Sequence, residues 1–161
     1  MPSISGGCQV LTESSPVYAL SLKQPWAALV VQGLKTIEIR SWPTARRGLI
    51  LIHAARVPDL RAEAQRHVTA EMATLVRLQG GIIGSVDLTD CVRYHDLPAF
   101  VADKASHYNE DSWFAPPLLY GFKFSEPCVL PFQKYPGWFR FFKIKSHVET
   151  PHKAETLGAE K

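Results

Sequence analysis

Apolar and polar positions fall into several short, distinct patterns along this chain, and together they predict a mixed fold. Residues 17–22 (Val-Tyr-Ala-Leu-Ser-Leu) form a mainly apolar run of strand length. At Gln24-Pro25 the pattern changes to helical: Trp26, Leu29 and Val30 lie at i, i+3 and i+4, and Gly33 supplies the stop. Residues 35–40 then alternate, with Ile37 and Ile39 on one side and Thr36, Glu38 and Arg40 on the other. Residues 48–53 alternate again, placing Leu49, Leu51 and His53 opposite Ile50 and Ile52. Over residues 58–78, Leu60, Ala64, Val68, Met72 and Leu75 repeat at helical spacing, which predicts one long helix ended by Gly80-Gly81. A strand follows over 82–88. Residues 92–113 read as a polar loop with a short helix, and 118–124, 128–132 and 138–144 as closing strands. Within the last of these, Trp138 and residues 139–142 read as core by alternation.

Strands on both sides of one main helix, without regular βαβ repetition, predict an α+β fold. The expected form is a small mixed β-barrel with one long helix and a short N-terminal helix. The folded unit is expected over residues 16–145, with flexible tails over 1–15 and 146–161. A chain of 161 residues suits one such domain. Composition agrees: 46% apolar and 20% charged is globular, and 12 prolines with 10 glycines suit many short elements.

Charge changes the picture more than composition does. Net charge is only +3, but residues 16–56 carry six bases (Lys23, Lys35, Arg40, Arg46, Arg47 and Arg56) against Glu38 alone. Residues 127–145 carry four bases and no acid, while 57–126 carry ten acids and six bases. Such segregation predicts a basic face suited to phosphates. Cys8, Cys91 and Cys128 show no metal-ligand spacing, so no metal is expected, and no motif calls for a cofactor. Their odd number fits a reducing compartment, with Cys91 and Cys128 filling the core as thiols. With no apolar run of about 18 residues and no secretory pattern at Met1, the expectation is a cytoplasmic protein that does not enter membranes.

The chemistry concentrates between Leu20 and His53. Lys23 and Gln24 stand at a helix start, Lys35 precedes a strand, and Glu38 and Arg40 share that strand's face with Trp42 just beyond. Lys35 suits a phosphate contact or, if desolvated, a nucleophile or base; a solvated turn lysine is the alternative. Glu38 and Arg40 suit a base edge and a phosphate, or equally a structural ion pair. Trp42 is the expected stacking platform and Trp26 its buried support. Gln24 is either a ligand contact or a helix cap. His53 is either structural or a group titrating near neutrality.

The string Leu20-Ser-Leu-Lys-Gln-Pro-Trp26, the spacing Gly33-x-Lys35-x-x-Glu38-x-Arg40, Arg47-Gly48 before a strand ending His53-Ala54, and Gly84-x-Val86 resemble the ASCH (ASC-1 homology) family of the PUA-like superfamily. The resemblance covers residues 18–144. It implies a PUA-like barrel and a cleft that binds RNA or other nucleic acid. Some members hydrolyse the acetyl amide of N4-acetylcytidine with a lysine at the position of Lys35, and one has been described as a nuclease. Glu38 stands where those hydrolases have threonine. Near the end, Gly137-Trp-Phe-Arg-Phe-Phe142 replaces the Gly-x-x-Gly-Leu-Trp of many similar members.

Function is therefore expected as binding of RNA, single-stranded nucleic acid or a modified nucleoside. The binding set is Lys23, Gln24, Trp26, Lys35, Glu38, Arg40, Trp42, Arg46, Arg47 and His53. The alternatives are a small-amide hydrolase or a nuclease centred on Lys35 and Glu38, with an acid from the 103–111 loop completing the set, or a protein-interaction module.

Overall fold

The computed structural model describes residues 16–115 and 118–145; both expected tails lie outside the described residues. Six strands make one sheet: β1 (Tyr18–Leu22), β2 (Ile37–Arg40), β3 (Gly48–Ala54), β4 (Gly81–Tyr94), β5 (Leu119–Lys134) and β6 (Phe141–Lys143). Their order is β2-β5-β4-β3-β1-β6. β1 and β3 run parallel, in register from Tyr18 opposite Ile50 to Leu22 opposite Ala54, and the other pairs are antiparallel. Among the described residues, four short helices accompany the sheet: α1 (Trp26–Val31), α2 (Ala62–Gln65), α3 (Leu97–Ala102) and α4 (Lys104–His107).

The fold is α+β, but the barrel expected from the pattern is not closed. β2 and β6 form the two sheet edges and do not pair with each other. Side chains approach across that seam: Trp42, just past β2, packs edge-on to Phe141 of β6 with ring centroids 5.5 Å apart.

The long helix expected over 58–78 is also absent. That stretch holds only α2 and two 3-10 turns, Ala70–Met72 and Leu75–Arg77. Of the five apolar positions that suggested it, Ala64 and Met72 are buried, whereas Leu60 is 76% exposed. Thr69 is extended, following β-branched Val68. Gln24 Nε2 donates to the carbonyls of Leu75 and Leu78, drawing the end of the segment down onto the core. Tertiary contacts thus override a weak local preference.

α1 departs from the expected single stripe in the other direction. All six of its residues are buried, as an apolar helix embedded in a core must be. It packs with Leu20, Ile50, Ile52, Ile83 and Phe122 on one sheet face. The opposite face is covered by Ala19, Leu51, Ile82, Leu130 and Phe142.

Two segments expected as separate strands are one. β5 runs through Glu126-Pro127 because its pairing with β4 shifts between Ser85 and Asp87, and the bulge absorbs the proline. β4 continues to Tyr94, into the stretch read as loop. Cys91 is a free, half-buried thiol. Cys128 is likewise half-buried, packed against the core cluster rather than inside it, and cysteine usage carries no inference about compartment. No helix among the described residues is long and apolar enough to cross a membrane.

Candidate functional site

A cleft of about 840 Å³ opens where the ends of β1 and β3, the strand β2 and the turn before β6 converge. Its innermost charged group is Lys35. After α1 the chain reverses at Gly33, whose φ of +77° suits glycine, and the amide of Leu34 returns to the carbonyl of Leu29. That reversal carries Lys35 inward, to 2% exposure. Its Nζ donates to the carbonyls of Ile37 at 2.5 Å and His107 at 2.7 Å and lies 5.7 Å from the Trp26 ring centroid. Burial holds its amine below the usual lysine range, with Glu38 opposing and Arg40 reinforcing the shift.

Glu38 and Arg40 reach the same space from one face of β2. Glu38 Oε2 is 3.9 Å from Lys35 Nζ, and Glu38 Oε1 is 3.9 Å from Arg40 Nε. Both separations exceed hydrogen-bond length. Arg40 is anchored instead by Nη2, which donates to the Ser21 carbonyl at 2.8 Å. Glu38 Oε2 and Arg40 Nε are consequently buried with no hydrogen-bond partner among the described residues. Unsatisfied charged groups are costly in a folded chain, and here an acceptor and a donor stand side by side.

Asp59 organises the opposite wall. Its carboxylate accepts from Trp26 Nε1 at 2.9 Å and from Arg61 Nε and Nη2 at 2.9 and 2.6 Å. The Arg61 guanidinium in turn lies 3.9 Å from the Trp113 ring centroid. The fork of Arg61 holds the Asp59 carboxyl far below the usual carboxylate range. One buried carboxylate thus fixes Trp26, Arg61 and, through Arg61, the position of Trp113.

The other expected site residues divide. Lys23 and His53 line the cleft. His53 is tied at both nitrogens, with Nε2 2.7 Å from the Tyr135 carbonyl and Nδ1 2.9 Å from Ser21 Oγ. A carbonyl only accepts, so Nε2 carries the proton and Nδ1 accepts from the serine. Gln24 is buried and caps: its Oε1 accepts from the Ala28 amide. Trp42 is not on the cleft wall; it packs on Phe122 and Phe141, with the Arg140 guanidinium 5.1 Å above it. Trp26, the expected support, is on the wall. Arg46 stacks on Tyr18 at 3.6 Å, and Arg47 bonds backbone carbonyls of its own loop and lies 3.6 Å from Asp90. Neither lines the cleft, because the loop before β3 turns both away from it.

The acids of the 103–111 loop are engaged elsewhere. Asp103 accepts from the Tyr94 hydroxyl at 2.6 Å, Asp111 pairs with Lys104, and Glu110 pairs with Arg66 and Lys104. Among the described residues, Glu38 and Asp59 are the acids lining the cleft. No group of three or more potential metal ligands occurs among them. Sequence reasoning missed Arg56, Asp59, Arg61, Trp113, Trp138, Phe139 and Arg140, all on the cleft wall or rim. They come from loops and, for Trp113, from the short 3-10 turn Asp111–Trp113, where no periodicity marks an inward side chain.

The ASCH domain family model matches residues 20–150. Activating signal cointegrator 1 of Homo sapiens is 35% identical over 83 residues, and that of Mus musculus 34% over 87. Each match takes in 47% of this chain and only 14% of the relative's length. The crystal structure of ASCH from Zymomonas mobilis has a TM-score of 0.56 at 14% identity, covering 80% of this chain and 87% of that one. A point mutant of the same protein gives 0.57, with 80% and 89% covered. At that identity the likeness is one of fold.

Proposed function

The chain belongs to the ASCH domain family, and on that premise we propose that its cleft binds RNA or a modified nucleoside by enclosing one base. The observation that carries this is the Glu38 carboxylate beside the Arg40 guanidinium, whose Oε2 and Nε have no hydrogen-bond partner, on a cleft walled by Trp26 and Trp113. The edge of a nucleobase offers a donor beside an acceptor, which matches a carboxylate beside a guanidinium. The indoles give its faces an apolar surface. A volume of about 840 Å³ lies within the usual range for pockets that hold small ligands, so the cleft suits one nucleoside rather than a duplex. Lys23, Arg56 and Arg140 stand on the rim, where phosphates would meet them.

A second function, hydrolysis of an acyl amide on a cytidine-type nucleoside, is favoured by one observation. Lys35 is a desolvated amine that lines the cleft and already donates to two carbonyls. In its neutral form it retains a lone pair for nucleophilic or base chemistry.

One experiment separates the two. RNA, DNA and free modified nucleosides are assayed for binding and for turnover with wild type and with Lys35→Met, which keeps the side-chain length. A binding cleft loses about tenfold in affinity, as for one charged hydrogen bond, and shows no turnover in either protein. A hydrolase shows turnover in wild type and none in the variant. Wild type that neither binds nor converts any member of the panel overturns both.

A further inference from the structure

The turn joining β5 to β6 holds two adjacent aromatic side chains in solvent. Trp138 is 72% exposed and Phe139 is 84% exposed. Their rings touch each other edge to face, with centroids 6.2 Å apart, and both line the mouth of the cleft. Alternation along 138–144 places them in the core, so their exposure needs a structural cause.

That cause is a backbone pinned on both sides of the pair. Gly137 lies against the His53 ring so closely that a Cβ there would come within 2.6 Å of Cε1. His53 Nε2 holds the Tyr135 carbonyl, and the Tyr135 hydroxyl accepts from the Lys145 amide at 2.8 Å. On the other side Arg140 takes a φ of +53° and lays its guanidinium over Trp42. The turn is therefore fixed by its neighbours, while the two aromatic rings contribute little to fixing it. Large apolar rings left in water forgo the stabilisation that burial would bring. Two of them held side by side at a cleft mouth form a ready binding surface.

We propose that Trp138 and Phe139 form a second stacking platform, for the nucleotide next to the one enclosed by the cleft. The ligand is then a single-stranded oligonucleotide rather than a free nucleoside. The proposal rests on the cleft being a base-binding site. Continuity and charge both favour this occupant. The pair borders the same cleft rather than standing on a separate convex surface. The rim beside it carries Lys23, Arg56 and Arg140, and the two acids of the cleft are turned inward. A strand leaving the cleft meets cations for its phosphates and flat apolar faces for its next base.

The test compares the four nucleoside 5′-monophosphates with a random-sequence RNA trinucleotide pool, on wild type and on the double variant Trp138→Ala/Phe139→Ala. Wild type should bind the trinucleotides at least tenfold more tightly than any monophosphate. The double variant should lose about tenfold or more on trinucleotides, as for one lost stack, and keep its monophosphate affinity and its thermal midpoint. Trinucleotides no tighter than monophosphates, or equal losses on both ligands, overturn the platform while leaving the cleft intact. Unchanged trinucleotide affinity, with loss of binding to phosphatidylserine vesicles, overturns it in favour of a membrane contact. Wild type that binds none of these ligands overturns the cleft and the platform together.

Discussion

At the scale of single residues, burial decides what the charged and titratable groups of the cleft can do. Lys35 reads in the sequence as a turn lysine, a phosphate contact or a reactive amine, and pattern alone does not choose. The structure removes the solvated turn lysine, because Nζ is enclosed by two carbonyls and an indole. His53 is similar. Burial lowers its pKa from the ordinary 6.5, opposed by the bond to the Tyr135 carbonyl. Burial also lowers His67 and His107. A folded-state value below the unfolded one means that the unfolded chain takes up more protons in the window beneath 6.5. The stability these histidines contribute is complete above that value and is lost as pH falls through the window. The urea midpoint should therefore drop between pH 7.5 and pH 5. His53→Gln, which keeps a donor for the Tyr135 carbonyl, should shrink that drop. An equal drop in wild type and variant would clear His53 of any part in it.

At the scale of elements, the packing of α1 on β4 sets how closely the sheet and the cleft's helix approach. Gly84 is the contact point. A Cβ at this position would fall 2.3 Å from the Cys128 carbonyl oxygen and 2.5 Å from Val31 Cγ1. One obstacle is backbone of the paired strand and the other a buried side chain, so neither yields easily. Gly84→Ala should cost about 3 kcal/mol, the upper end for overpacking, read as a fall in the denaturant midpoint at unchanged slope. In the sequence, Gly84-x-Val86 is only part of the family resemblance, and the close approach at Gly84 is visible in the structure alone. β1, β3 and the start of β4 were legible in the sequence, because short apolar runs of strand length bounded by turn residues suit strands buried on both faces. The sequence misjudged residues 58–78 because helical spacing alone does not distinguish a helix from short turns that bury two of the same residues. It cut β5 in two because a proline looks like an ending unless a bulge takes it. The sequence named the cleft residues Lys23, Lys35, Glu38 and Arg40, which stand beside or on predicted elements, and missed those supplied from beyond them, as at Asp59, Arg61 and Trp113.

At the scale of the whole molecule, positive charge is segregated along the sequence, but the sequence does not say which cations share a surface. Arg46 and Arg47 belong by number to the basic N-terminal flank, yet the fold spends them elsewhere. Arg46 covers Tyr18 and lies 5.3 Å from the Phe141 ring on the neighbouring strand, and Arg47 faces Asp90. The rim of the cleft is assembled instead from Lys23 at the start of α1, Arg56 after β3 and Arg140 before β6. If single-stranded RNA lies across that rim, each phosphate neutralised there releases condensed counterions. The logarithm of the affinity then falls with the logarithm of salt by about 0.7 for each contact. Arg56→Ala should make the slope shallower by about 0.7, whereas Arg46→Ala should leave it unchanged even though both remove one positive charge from the same flank. Equal changes from the two would mean that the protein attracts RNA by its overall field, with the cleft rim taking no privileged share. A loss confined to Arg56 would tie the electrostatics to the same concave surface that holds Glu38 and Arg40.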